Sequence, residues 1–139
     1  MWVHLHEKLI SKPDAALAAR RRLGGVLQEL GWSQCGRIDL MLAVSEAVTN
    51  SYQHAYSRSR PGPIYLQAHT LTGPNGTRRF CVTVSDHGNW LASGPRRRRG
   101  GLAIMRATTA HMTIHSDALG TRVTMMSAPD PPVGHPEQT

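Results

Sequence analysis

The chain has 139 residues, 40% of them hydrophobic, and a net charge of +7, which excludes wholesale disorder and predicts one domain with a real core. No apolar run is long enough for a helical membrane span, and the opening Met1-Trp2-Val3-His4 lacks the apolar stretch of a secretory leader, so the chain is expected in the cytoplasm. The positive balance favours anionic partners, namely nucleic acid, nucleotide phosphates or an acidic protein.

Residues 2 to 10 alternate weakly and predict an edge strand. Ser11-Lys12-Pro13-Asp14 reads as a helix start with Ser11 as the cap, followed by an alanine-rich helix from Ala15 to Leu30 that ends at Gly31. That helix carries Arg20, Arg21 and Arg22. A short loop over Trp32 to Gly36 leads into a second helix, reaching to about Tyr56. In it Leu40, Met41, Val44, Ala47, Val48 and Tyr52 recur at helical spacing, and Asp39, Glu46, Asn50, Gln53 and His54 gather on the opposite arc. That arc is unusual for a solvent face, because no Lys or Arg occurs from Ile38 to Ala55.

A turn over Ser57 to Pro63 precedes two strands, Ile64 to Thr70 and Arg79 to Ser85, joined through Asn75-Gly76, a strong hairpin signal. Phe80, Val82 and Val84 share one face of the second strand; Cys81, Thr83 and Ser85 share the other. Asp86 to Trp90 breaks the strand, and Leu91 to Gly100 is a loop dominated by Arg96-Arg97-Arg98-Arg99. Gly101 to Ala107 predicts a short buried helix. His111 to Ser116 and Arg122 to Ser127 predict a second hairpin turning through Ala118 to Gly120. Residues 128–139 hold four prolines and are expected to be a disordered tail, leaving 1–127 as the domain. Cys35 and Cys81 lack CxxC spacing and read as reduced thiols. Helices first and strands afterwards predict an α+β two-layer sandwich, with helices on one face of a mixed, largely antiparallel sheet.

Three segments carry candidate chemistry. Glu46, Asn50 and His54 recur one turn apart, so a carboxylate and an amide can both reach one metal-bound anion. Asp86-x-Gly88 follows a strand: an aspartate there can accept from an exocyclic base amine, and the glycine lets a flat ring approach the backbone. Gly100-Gly101 opens a helix and offers free N–H groups to phosphates, and Gly120-Thr121 lies in the last hairpin.

In this order and spacing the motifs resemble the GHKL ATPase superfamily, and within it the anti-sigma factor serine kinases of the RsbW and SpoIIAB type. Val44-Ser45-Glu46-Ala47-Val48-Thr49-Asn50 with His54-Ala55-Tyr56 resembles the N-box of that group. Asp86-x-Gly88 resembles the adenine box, Gly100-Gly101-Leu102-x-Ile104-Met105 the second glycine box, and Gly120-Thr121-x-Val123 the third. The resemblance spans about Leu5 to Met126 and implies the Bergerat fold. It implies ATP and Mg²⁺ as cofactors, with Glu46 as general base and Asn50 as the Mg²⁺ ligand. Asp86 would bind the adenine amine, with Gly88 and Thr121 completing the pocket, and Gly100 and Gly101, with Leu102 beside them, would lie against the phosphates. His54 reads as closing the helix end near the lid, with a phosphate contact as the alternative. The resemblance also implies a sigma factor and a STAS-type anti-anti-sigma factor as partners, Arg20 as a partner contact, and a homodimer. Trp90 stands where the adenine box commonly ends in glycine, and the arginine loop is short for an ATP lid. Hence the alternative to a kinase is a module of the same fold acting only by protein binding. An arginine-rich nucleic-acid binder is disfavoured, because the polar-faced helix carries no basic residue and aromatics do not interleave with the arginines.

Overall fold

The structure is a computed structural model that describes residues 2–56, 59–88 and 99–130. The expectations placed on Trp90, on the arginine loop at 91–98 and on tail residues 131–139 lie outside the described residues. In chain order come strand β1 (Trp2–Ile10), helices α1 (Ala15–Glu29) and α2 (Gln34–His54), strands β2 (Pro63–Thr72) and β3 (Arg78–Asp86), helix α3 (Arg99–Thr108), and strands β4 (His111–Asp117) and β5 (Gly120–Met126). The strands form one five-stranded sheet in the order β1-β2-β3-β5-β4, antiparallel at every pairing. The sheet expected to be mixed is therefore wholly antiparallel among the described residues.

The period-two pattern sets the two faces. Ile64, Leu66 and Ala68 of β2, Phe80, Val82 and Val84 of β3, and Val123 and Met125 of β5 are all buried. They meet Ala15, Ala19, Leu23 and Leu27 of α1, Leu40, Ala43, Val44, Ala47 and Val48 of α2, and Met105 of α3 in one core. Phe80, wholly buried, packs edge-on to Trp32 at 5.5 Å between ring centroids. Removing a side chain of that size from water stabilises the fold by about 1.5–3 kcal/mol. On the opposite face, Cys81 is also buried, with His69 and Met126 as its register partners on the flanking strands. No helix among the described residues is long and apolar enough to cross a membrane.

Local departures from the sequence reading have clear causes. Helix α2 begins at Gln34, inside the expected loop, because the Ser33 hydroxyl caps it by accepting from the Gly36 N–H at 3.2 Å. Ser11 does not cap α1; its hydroxyl accepts from the Gly62 N–H at 2.9 Å, and its own N–H donates to the Gly62 carbonyl at 2.9 Å. A register shift between Val3 and Leu5 sends His4 inward, stacked on Phe80, while His6 meets exposed Gln67 outside. The tail returns to the sheet at Asp130, while Ala128 and Pro129 are exposed. Asp130 is buried and exchanges backbone hydrogen bonds with Arg78 at 2.8 and 3.2 Å.

Arg78 joins three parts of the chain. It donates to the Leu30 carbonyl at 2.7 Å and the Gly31 carbonyl at 3.1 Å, at and just past the C-cap of α1. It lies 4.5 Å over the Trp32 ring and 3.5 Å from the Asp130 carboxylate.

Candidate functional site

The C-terminal turns of α2 meet the end of β3 and the start of β5. The apolar stripe of α2, buried at Leu40, Ala43, Val44, Ala47 and Val48, continues into two buried polar residues, Asn50 and Ser51. Both stand where the stripe would place core residues, and there α2 crosses the last residue of β3. Asp86 is 3% exposed at that point, and one of its oxygens accepts from the Ser51 hydroxyl at 2.6 Å. The other accepts from the Gly88 N–H at 2.9 Å. These two donors come from different elements and hold the carboxylate between helix and strand end.

Gly88 packs directly on α2. A Cβ built there would fall 2.6 Å from the Cβ and the carbonyl oxygen of Ala55. The Gly88 carbonyl in turn accepts from the Thr121 hydroxyl at 2.9 Å, and Thr121 pairs with the Ser116 hydroxyl at 2.8 Å. Gly120, at φ +149°, has room for no Cβ because the Asp86 carbonyl lies against it. Tyr56 closes the end of the helix. Its phenol donates to the Pro63 carbonyl at 2.6 Å and accepts from the His87 N–H at 2.9 Å. Burial raises that phenol above its ordinary 10.0, the nearby Asp86 carboxylate adds to the rise, and the His87 bond offsets part of it. The phenol therefore remains a donor at neutral pH.

Asn50 departs from the sequence expectation. The arc of Asp39, Glu46, Asn50, Gln53 and His54 is not one solvent face: Asp39 and Gln53 are exposed, Glu46 and His54 are half-buried, and Asn50 is 3% exposed. The stripe widens as α2 passes the sheet end, which simple helical averaging does not capture. The amide nitrogen of Asn50 is buried and has no hydrogen-bond partner among the described residues. Leaving a buried amide donor unsatisfied costs about 1–3 kcal/mol, which a bound acceptor recovers.

The structure thus brings Asn50, Asp86, Gly88 and Thr121 together. Glu46 sits one turn before Asn50 on α2, and His54 one turn after it. Gly100 and Gly101 lie in the first turn of α3, which packs on α2, and half-buried Leu102 packs against the core. Arg20 belongs elsewhere. It lines a depression of about 320 Å³ with Leu17, Arg21, Ile38, Met41 and Leu42, beside the opening turns of α2. Sequence alone assigns no role to Ser51, nor to Ala55 and Tyr56, although the last two stand in the N-box resemblance. A hydroxyl on an otherwise apolar stripe was the available signal for Ser51; the contacts of Ala55 and Tyr56 depend on Gly88 and His87, distant in sequence from α2.

Residues 9–127 match the family model described as the histidine kinase-like ATPase domain. The serine-protein kinase RsbW of Listeria innocua serovar 6a is 33% identical over 101 residues, covering 70% of this chain and 61% of that protein. That of Bacillus subtilis strain 168 is 33% identical over 86 residues, covering 62% of this chain and 51% of that protein. The match therefore spans between half and two thirds of the length of these relatives. In three dimensions, the crystal structure of the RsbU and RsbW domains of Rv1364c from Mycobacterium tuberculosis superposes with a TM-score of 0.72 at 26% identity, covering 95% of this chain and 34% of that one. With the matched family model spanning the three helices and strands β2 to β5, the chain belongs to the histidine kinase-like ATPase domain family.

Proposed function

We propose that this domain binds ATP with Mg²⁺ and transfers phosphate to a serine or threonine hydroxyl of an anti-anti-sigma protein, while also sequestering a sigma factor. The observation that carries the reading is the unsatisfied buried amide of Asn50 beside the anchored carboxylate of Asp86. The orphaned Asn50 nitrogen is a donor and suits a phosphate oxygen, the oxygen of the same amide suits a hard cation, and the Asp86 carboxylate suits a base amine. Among the described residues no three His, Cys, Asp or Glu side chains converge as a metal site. A cation held by the Asn50 oxygen with phosphates and water as its remaining ligands is the habit of Mg²⁺.

In this reading Asp86 accepts from the exocyclic amine, Gly88 and Thr121 wall the base, and His54 closes the helix end. Gly100 and Gly101, with Leu102 behind them, present the first turn of α3 to phosphate. Bound Mg²⁺ neutralises phosphate charge, the main requirement of phosphoryl transfer. Glu46, one turn from Asn50, takes the proton from the attacking hydroxyl. The name serine-protein kinase carried by the relatives agrees with this assignment. For the partners, the Arg20 depression is the proposed contact: Leu17, Ile38 and Leu42 are exposed apolar side chains beside Arg20 and Arg21, a surface suited to an acidic, partly apolar segment. A homodimer forms part of the same proposal.

Calorimetry with ATP, with and without Mg²⁺, tests the site; no binding at millimolar nucleotide sinks it. Transfer of labelled γ-phosphate to candidate anti-anti-sigma proteins tests the activity. Glu46→Ala should keep nucleotide binding and lose roughly 10²–10⁴-fold in transfer rate. Tight complexes without any transfer by the wild type would make the domain a binding-only module.

A further inference from the structure

Ser51 stands on the core stripe of α2, four residues after Ala47 and three after Val48, and is 0% exposed. Alanine would fill that position on packing grounds alone. The hydroxyl instead points at the end of β3 and donates to Asp86 at 2.6 Å, the short length of a charge-assisted bond. The Asp86 side chain has two rotatable torsions. The Gly88 N–H, only two residues along the same chain, fixes one oxygen at 2.9 Å. A second donor on the other oxygen, delivered by a different element, fixes the plane of the carboxylate. That plane decides whether a lone pair is aimed at a ligand amine.

We infer that Ser51 is a positioning residue for base recognition: it orients the Asp86 carboxylate toward the exocyclic amine and so sets the preference for amino-purines over purines that lack the amine. This rests on the nucleotide reading above. The effect is confined to the amine, because Ser51 supports the group that reads it and is not itself needed for phosphate contacts. A merely structural serine would weaken every nucleotide alike.

The experiment compares ATP with purine riboside 5′-triphosphate, which carries hydrogen where ATP has the amine. Dissociation constants are measured by calorimetry for the wild type, Ser51→Ala, Asp86→Asn and the double variant. Ser51→Ala is expected to weaken ATP by about tenfold, the loss of one hydrogen bond to a charged group. It should change the amine-free analogue by less than about twofold, as for independent sites. In the Asp86→Asn background the serine should no longer matter. Equal losses for both nucleotides, or no loss for either, would overturn the inference while leaving nucleotide binding intact. Absence of wild-type binding to both would instead remove the nucleotide reading and this inference with it. If circular dichroism shows Ser51→Ala unfolded, Ser51→Cys is read the same way: it keeps a side chain of similar shape and offers only a weak S–H donor.

Discussion

The phenol of Tyr56 serves two backbone groups at once, the Pro63 carbonyl and the His87 N–H. It therefore ties the end of α2 to the start of β2 and to the segment that carries Asp86 and Gly88. Tyr56→Phe keeps the ring packed against Gly62 but leaves both groups without that partner. Urea unfolding should show a loss of about 1–3 kcal/mol. A second effect at this scale concerns pH. Burial, with a contribution from nearby His69, lowers the His4 pKa below 6.5. The native state then binds fewer protons than the unfolded chain between the lowered value and 6.5. Stability should fall as pH drops through that window and level off below the native value. His4→Gln should remove that component when unfolding free energy is measured from pH 7 downward.

At the scale of elements, Arg78 is the joint between the α1–α2 link, the first residue of β3 and the segment after β5. Its side chain is 11% exposed and that of Asp130 is 8%, so the pair is largely shielded from water. Arg78→Ala removes the donor from two carbonyls and leaves the carboxylate uncompensated; breaking such a pair costs about 3 kcal/mol. Truncation after Ser127 should cost less, because the helix carbonyls keep Arg78. In addition to urea unfolding, hydrogen exchange at the Asp130 amide should rise in Arg78→Ala. The elements themselves were legible in the sequence wherever one period dominated. Strand β3 alternated cleanly at Phe80, Val82 and Val84, and Asn75, at φ 60°, turned the hairpin as its type predicts. What escaped was long-range. Ser11 looked like a cap, yet Gly62 claimed it. Residues 128–130 looked like tail because no local pattern announces a bridge to Arg78. At the candidate site, the family resemblance singled out Asp86, Gly88 and Thr121, which the structure brings together, whereas the burial of Asn50 depended on where α2 crosses the sheet.

For the whole molecule, the sheet carries helices on one side, and no described element covers the other. That open side is where Cys81 sits, buried on the strand between its register partners His69 and Met126, its thiol pKa raised by burial. Cys35, near the start of α2, is exposed. The two thiols differ in access to reagent, and the buried one is further protected by its protonated state, since the thiolate is the reactive species. A disulfide reagent such as dithionitrobenzoate should consume one equivalent at once and a second slowly. The slow phase is a clock. Its limiting rate at high reagent counts how often Cys81 becomes exposed, whether neighbouring side chains move aside or the strands part, without denaturant and without an added label. Any ligand that binds only the closed protein should slow that clock in proportion to its occupancy, so the same thiol doubles as a binding assay. A second equivalent released as fast as the first would show that Cys81 is open to solvent, contrary to its place in the sheet.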